Sequence, residues 1–82
     1  MIIKRLKEAR LRAGFSQYKL GVLAGIDEAS SSARMNQYEK GKHQPDQDTA
    51  IRIAQVLDLP LAYFYAEDDE LAAVIMSFHK KT

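Results

Sequence analysis

The chain has 82 residues, no cysteine and a formal net charge of +1. This length is typical of one small domain, and without cysteine no disulfide or thiolate metal site can support its core. The sequence contains no apolar run as long as a membrane span and no signal-peptide apolar region at its start. We therefore expect a soluble, cytoplasmic protein without membrane contact.

Charge is distributed unevenly along the chain. Residues 1–44 contain nine Lys or Arg and four Asp or Glu, a balance of +5, whereas residues 45–82 contain three and seven, a balance of −4. A polyanion is therefore expected to meet the first half of the chain. A solvated surface whose charges are simply uneven is the alternative, and charge alone does not decide between the two.

A first helix is predicted over residues 2–13. Its inner face is marked by side chains that recur at intervals of three and four: Ile3, Leu6, Ala9, Arg10 and Ala13. Gly14 ends this helix. Arg10 is unusual on such a face, because an unpaired buried guanidinium is costly. It must either pair with a carboxylate or extend to solvent.

The second predicted helix is short and covers residues 17–24. Ser16 is its N-cap candidate, and Gly25 follows it, where a left-handed residue commonly ends a helix. Gly21 lies inside this helix at a cost to its stability. Its position indicates that the following helix approaches closely, leaving no room for a larger side chain.

The third predicted helix begins at residue 30 or 31, within a run of three serines, and ends at residue 39. Met35 and Tyr38 point inward. The opposite face carries Ser32, Ala33, Asn36 and Gln37, with Arg34 on the flank. Two short helices around a glycine-containing turn are typical of a helix-turn-helix.

Two further helices follow. Pro45 ends the loop, Asp46 caps the fourth helix, and Pro60 suits the first position of a fifth. Apolar side chains of these helices recur at helical spacing: Ile51, Ile53, Ala54, Leu57, Leu61, Phe64 and Tyr65.

A last amphipathic helix opens with the acidic residues 67–70 and ends with two lysines, which suits the helix dipole. Its apolar stripe consists of Leu71, Val74, Ile75 and Phe78. We expect a symmetric partner to cover this stripe. Tyr63 or Phe64 could join that interface, but the role expected of this aromatic cluster is to close the core. Packing of the stripe against its own domain is the alternative.

The ordered set of these residues resembles the Cro/cI-type (XRE) helix-turn-helix family of phage and bacterial regulators. The matching residues are Ser16, Gln17, Leu20, Gly21, Ala24, Gly25, Ile26, Met35, Tyr38, Glu39, Lys40, Gly41, Lys42, Pro45, Thr49, Ile53, Ala54 and Leu57. The resemblance implies an all-α fold, in which a compact five-helix, lambda-repressor-like DNA-binding domain spans residues 1–66. Residues 67–82 would add a C-terminal amphipathic helix to the same domain, which we expect to serve dimerisation.

One departure from the family is an insertion of about four residues, roughly one helical turn, at residues 27–30. These residues either lengthen the third helix at its start or enlarge the turn before it. Assignments from Met35 onward do not depend on which is correct.

The resemblance also implies residue roles. With the third helix in the major groove, the expected base contacts are Ser32, Ala33, Arg34, Asn36 and Gln37. The expected phosphate contacts are Ser16, Gln17, Lys40, Lys42, His43 and Gln44. Arg10 is expected to form a buried ion pair with Glu39. The alternatives are an ordinary solvated helix face and a His43 that is simply exposed.

We expect a sequence-specific transcriptional regulator of double-stranded DNA, a repressor that binds a pseudo-palindromic operator as a homodimer. Alternatives are an antitoxin-type or phage-type regulator whose last helix binds a second protein, and an interaction module that uses the acidic half. Enzyme activity, a metal and a cofactor are not expected, because the sequence offers no metal-spaced His/Cys set, no nucleophilic thiol and no Gly-rich phosphate loop.

Overall fold

The computed structural model describes residues 1–81, apart from the side chain of Lys81; residue 82 of the expected C-terminal element lies outside the described residues. The described residues form α1 (Ile3–Ala13), α2 (Gln17–Leu23), α3 (Ser31–Glu39), α4 (Gln47–Val56), a 3₁₀ helix (Leu61–Tyr65) and α5 (Asp69–Lys81). They contain no strand, and the predicted all-α fold is confirmed. No helix within this part of the chain is long and apolar enough to cross a membrane.

The starts of α2 and α4 carry the predicted side-chain caps. The Ser16 hydroxyl accepts a hydrogen bond from the Lys19 amide at 3.0 Å, and the Asp46 carboxylate accepts one from the Thr49 amide at 2.8 Å. Each bond satisfies an amide that has no partner within its helix. Ser30 occupies the N-cap of α3 without a capping bond, so this helix start depends on its packing.

Glycines end both α2 and α3. Gly25 and Gly41 have φ angles of +89° and +74°, a left-handed conformation that side chains disfavour. The amide after each glycine then bonds back into the last turn, from Ile26 to the Gly21 carbonyl at 2.9 Å and from Lys42 to the Gln37 carbonyl at 3.0 Å. These closed ends fix how the chain enters and leaves α3.

The core lies where α1 to α4 and the 3₁₀ helix meet. Its fully buried large side chains are Phe64, Leu6, Leu20, Met35 and Ile53. Met35 and Tyr38 of α3 point inward, as the sequence predicted. Every one of these side chains comes from a position of the apolar periodicity, so burial of that pattern drives the helices together.

One expectation about the segment before α5 is wrong, and the expected closing of the core by Tyr63 and Phe64 is confirmed. Pro60 is not the first residue of a helix: it is extended, with φ −67° and ψ 145°, and a short 3₁₀ helix starts after it. Tyr63 and Phe64 are not available to a partner, because both are buried in the core of their own domain. Their rings meet edge to face with centroids 5.2 Å apart, which closes the core at this end.

The start of α5 is held to α1 by Arg5. This buried guanidinium donates to the Ala66 carbonyl at 3.1 Å and to the Asp69 carboxylate at 2.8 Å, and it lies over the Tyr63 ring. Lys4 also contacts Asp69, at 2.7 Å, and hydrogen bonds from Lys4 and Arg5 lower the pKa of that carboxyl. The sequence pattern carries no signal for these contacts between α1 and the start of α5.

The apolar stripe of α5 is divided between the domain and its surface. Ile75 packs against the core, beside the buried Ala72. Leu71, Val74 and Phe78 remain exposed, at 50%, 63% and 70% of their full accessible surface. Packing against the domain therefore accounts for only part of the stripe.

The inserted residues enlarge the turn and do not lengthen α3. Residues 28–30 form a turn in which the Ser30 amide donates to the Asp27 carbonyl at 3.0 Å, and α3 begins only at Ser31. The Tyr18 hydroxyl of α2 donates to the Glu28 carboxylate at 2.5 Å, which raises the pKa of Tyr18 and ties the turn to the preceding helix.

We predict that Gly21→Ala destabilises the domain by about 1–3 kcal/mol, the usual cost of overfilling a packed core. The added methyl group would overlap the Ser31 hydroxyl, which donates to the Tyr18 carbonyl at 2.8 Å. Urea unfolding measures the loss. Ser31→Ala removes the hydroxyl that the new methyl group would overlap. The double variant should therefore lose less stability than the sum of the losses in the two single variants. Strictly additive losses would contradict a direct α2–α3 contact.

Candidate DNA-binding surface

One side of α3 is exposed and polar. The side chains that pack inward are Ser31, Met35, Tyr38 and Glu39. Ser32, Ala33 and Arg34 are exposed, and Asn36 and Gln37 are half-buried. The structure thus places all five expected base-contact residues away from the core, on a helix whose position is fixed by its buried side.

The exposed side of α3 has two flanks with different neighbours. On one flank, Asn36 contacts α2, where its side-chain oxygen accepts from the Gln17 amide at 3.3 Å. On the other, Arg34 and Gln37 face the loop before α4 and line a cleft of about 410 Å³. The remaining residues of this cleft are Tyr38, His43, Gln44, Asp46 and Thr49. The helix surface therefore continues into polar groups on both sides.

The expected phosphate-contact residues form two groups at the borders of α3. Ser16 and Gln17 lie at the start of α2. The other four lie in the loop after α3 and are all exposed: Lys40, Lys42, His43 and Gln44. The side-chain Oε1 atom of Gln44 accepts from the Met1 amino group at 2.7 Å, which orders this side chain.

Electrostatics around α3 favour an anion. Among the residues that the structure describes, Lys40 and Lys42 form no ion pair, so their charges face solvent. The nearby acids are compensated: Glu39 is paired with Arg10, and hydrogen bonds from Thr49, followed by weaker attraction to Arg52 and Arg34, lower the pKa of Asp46. The loop after α3 therefore adds unpaired positive charge along one border of the polar helix face.

The buried ion pair expected from the resemblance is present. Arg10 donates from Nε to one Glu39 oxygen at 2.5 Å and from its terminal nitrogen to the other at 3.1 Å. Its remaining terminal nitrogen donates to the Phe15 carbonyl at 2.9 Å. Both partners are only 7% exposed, and this paired, bidentate geometry is what makes a buried charge tolerable.

One contact beneath this surface was missed in the sequence analysis. Arg52 of α4 donates to the Ala24 carbonyl at 2.7 Å, which supplies the partner that the end of α2 lacks, and to the Thr49 hydroxyl at 3.1 Å. A basic side chain on an amphipathic helix normally indicates a solvated position, so the sequence pattern carries no signal for this bond.

The fold and this surface define a helix-turn-helix domain of the DNA-binding class, with α3 as its exposed helix. The model of the helix-turn-helix family matches residues 6–64, and the chain belongs to this family, of the Cro/cI type (XRE), whose members are DNA-binding transcriptional regulators.

Two relatives extend this assignment. The chain is 29% identical over 66 residues to the HTH-type transcriptional regulator ImmR of Bacillus subtilis (strain 168), an alignment that covers 80% of this chain and 49% of that protein. The chain thus spans about half the length of this curated relative. It also resembles the crystal structure of the transcriptional regulator BswR, with a TM-score of 0.94 and 51% sequence identity, over 100% of this chain and 81% of that one.

We predict that Arg10→Ala destabilises the domain by about 3–5 kcal/mol, because the Glu39 carboxylate would remain buried without its partner. Thermal and urea unfolding measure this. The matched control is Arg12→Ala on the exposed side of α1, which should lose far less. An Arg10→Ala variant that unfolds like the wild type would show that the ion pair does not organise the fold.

Proposed function

We propose that this protein is a sequence-specific transcriptional repressor that binds a pseudo-palindromic operator as a homodimer, with α3 of each copy in the major groove. The observation that carries this proposal is the exposed polar side of α3, bordered by the basic loop of residues 40–44 and the start of α2. Repression would follow from occupation of a promoter, which requires only tight and selective DNA binding.

The residues on α3 have the chemistry to read base edges. Gln37 can pair bidentately with adenine, Arg34 can donate to guanine, and the Ala33 methyl group can contact the thymine methyl group. Ser32 can donate or accept. These groups stand on a rigid helix, which is the usual way a helix-turn-helix protein presents side chains to the groove.

The loop after α3 and the start of α2 would fix the position of the protein on the DNA backbone. Lys40 and Lys42 supply positive charge, and His43 and Gln44 supply hydrogen-bond donors. At the start of α2, free backbone amides and the helix dipole favour a phosphate. Such contacts carry no sequence information but supply much of the affinity, so binding should weaken steeply with salt.

The exposed side of α5 is the candidate dimer interface. Leu71, Val74 and Phe78 form an exposed apolar row, and an uncovered row of this kind is typical of an interaction site. Beside the row lies a largely apolar cavity of about 420 Å³, lined by Pro60, Val74, Ile75, Phe78 and His79. In a two-fold dimer, Phe78 of each copy would enter this cavity of the other.

Charge supports an antiparallel pairing of two α5 helices. Glu70 lies in the first turn of α5 and Lys80 near its end, so reversal of one copy brings an acidic end beside a basic end. If the dimer geometry follows that of the family, the two α3 helices would meet half-sites about 34 Å apart, one turn of DNA. The alternative, a second protein on the same side of α5, predicts a monomer in the absence of that protein.

We predict that selection from a random-sequence duplex library enriches an inverted repeat. Repeating the selection at two salt concentrations should show affinity that falls with salt while the preferred sequence stays the same. Salt-sensitive binding without any enriched sequence would indicate that this surface binds DNA nonspecifically through its positive charge.

Substitutions on α3 and in the loop after it should separate recognition of bases from positioning of the protein on the DNA backbone. Gln37→Ala should change the preferred base at one position of each half-site, at a cost of about 1–3 kcal/mol for the wild-type operator. Lys42→Ala should lower affinity for all sequences alike and reduce the salt slope by about one. A changed base preference in Lys42→Ala would contradict its assignment to the phosphate backbone.

We predict that Phe78→Glu converts a dimer to a monomer without unfolding it, because this side chain is 70% exposed in one copy and the charge would be buried only in the interface. Light scattering coupled to size exclusion measures the mass, and circular dichroism checks the fold. Leu11→Glu is the matched control, since Leu11 is a 58% exposed leucine on α1. Equal effects of both substitutions would argue against α5 as the interface.

A further inference from the structure

A chain of hydrogen bonds runs from the core to the exposed side of α3. The buried Arg10 holds both oxygens of Glu39. One of these oxygens also accepts from the Gln17 Nε2 group at 3.2 Å, and the same nitrogen donates to the Asn36 Oδ1 atom at 3.3 Å. Gln17 therefore connects a buried carboxylate to a side chain on the expected base-reading face.

The charge of Glu39 fixes which end of the Gln17 amide faces it. A carboxylate paired with a guanidinium is ionised and can only accept hydrogen bonds, so it must meet the amide nitrogen of Gln17 and not the oxygen. The two hydrogens of that nitrogen account for its two bonds. The Asn36 atom beside it must then be an acceptor, which is Oδ1, and the Asn36 Nδ2 group is turned away from α2.

We propose that Gln17 is a positioning residue that sets the hydrogen-bonding polarity of Asn36 for DNA reading, an inference that rests on the function proposed above. With Oδ1 bonded to Gln17, Asn36 presents its Nδ2 hydrogens to the groove. It is thereby set to donate to base acceptors.

This polarity decides which base Asn36 favours. Guanine offers two adjacent acceptors in the major groove, O6 and N7, which suit the donors of Nδ2. Recognition of adenine instead uses the side-chain oxygen and nitrogen together, to N6 and N7. Because Oδ1 points toward Gln17 on α2 and Nδ2 points away from it, the group turned to the groove is a donor, and Asn36 favours guanine over adenine at the base pair it meets.

The same hydrogen bonds bear on the phosphate contact that the sequence predicted for Gln17. Both hydrogens of its side-chain nitrogen are used within the protein. The side chain of Gln17 is therefore committed to Glu39 and Asn36, and it has no further hydrogen to donate to a phosphate. Its backbone amide, in the first turn of α2, has no partner within the helix.

The test compares library selections for the wild type, Asn36→Ala, Gln17→Met and the double variant. Asn36→Ala first identifies the base pair that Asn36 reads. Gln17→Met keeps the length of the side chain but removes its hydrogen bonds, so the guanine preference at that base pair should fall about tenfold, and other positions should keep theirs. The double variant should resemble Asn36→Ala. The control is Gln55→Met, an exposed glutamine on α4.

A Gln17→Met variant that binds all sequences more weakly by the same factor, or that changes a different base pair, would overturn this proposal, because a merely structural role does not alter one base preference. Failure of the wild type to enrich any sequence would overturn the proposed function itself, and this inference with it. Unfolding measurements on each variant distinguish a loss of stability from a change in base preference.

Discussion

The position of α3 depends on the buried ion pair between Arg10 and Glu39. The pair joins α1 to the last turn of α3, and Glu39 also accepts from Gln17 at the start of α2. Three helices therefore meet at one carboxylate. A buried charge is tolerated only with its partners in place, so the contacts of the three helices with this carboxylate should form together or not at all. This keeps the exposed side of α3 in one orientation.

The spacing between α2 and α3 adds a second constraint. Gly21 lets the Ser31 backbone and side chain approach α2, and the Ser31 hydroxyl bonds to the Tyr18 carbonyl. The enlarged turn before α3 is accommodated outside this contact, through the bond between Tyr18 and Glu28. The insertion thus alters the surface near the start of α3 while the packed portion from Met35 onward keeps the arrangement expected of the family.

The sequence predicted the helices well, because periodic apolar residues, the caps Ser16 and Asp46 and the terminal glycines are local signals. The prediction failed where the type of helix, or the angle at which two helices cross, decides which side chains meet. The short 3₁₀ helix after Pro60 has no signal in the sequence that distinguishes it from the helix predicted to start at this proline. Likewise, the bond between Gln17 and Asn36 requires a particular angle between α2 and α3 that periodicity does not specify.

We propose that α3 reads DNA from the major groove in a two-fold complex. Methylation interference on a selected operator tests it directly, because methyl groups on guanine N7 lie in the major groove, whereas those on adenine N3 lie in the minor groove. Methylation of guanine N7 should block binding in two patches about one DNA turn apart. Interference confined to adenine N3, or a single patch, would contradict it.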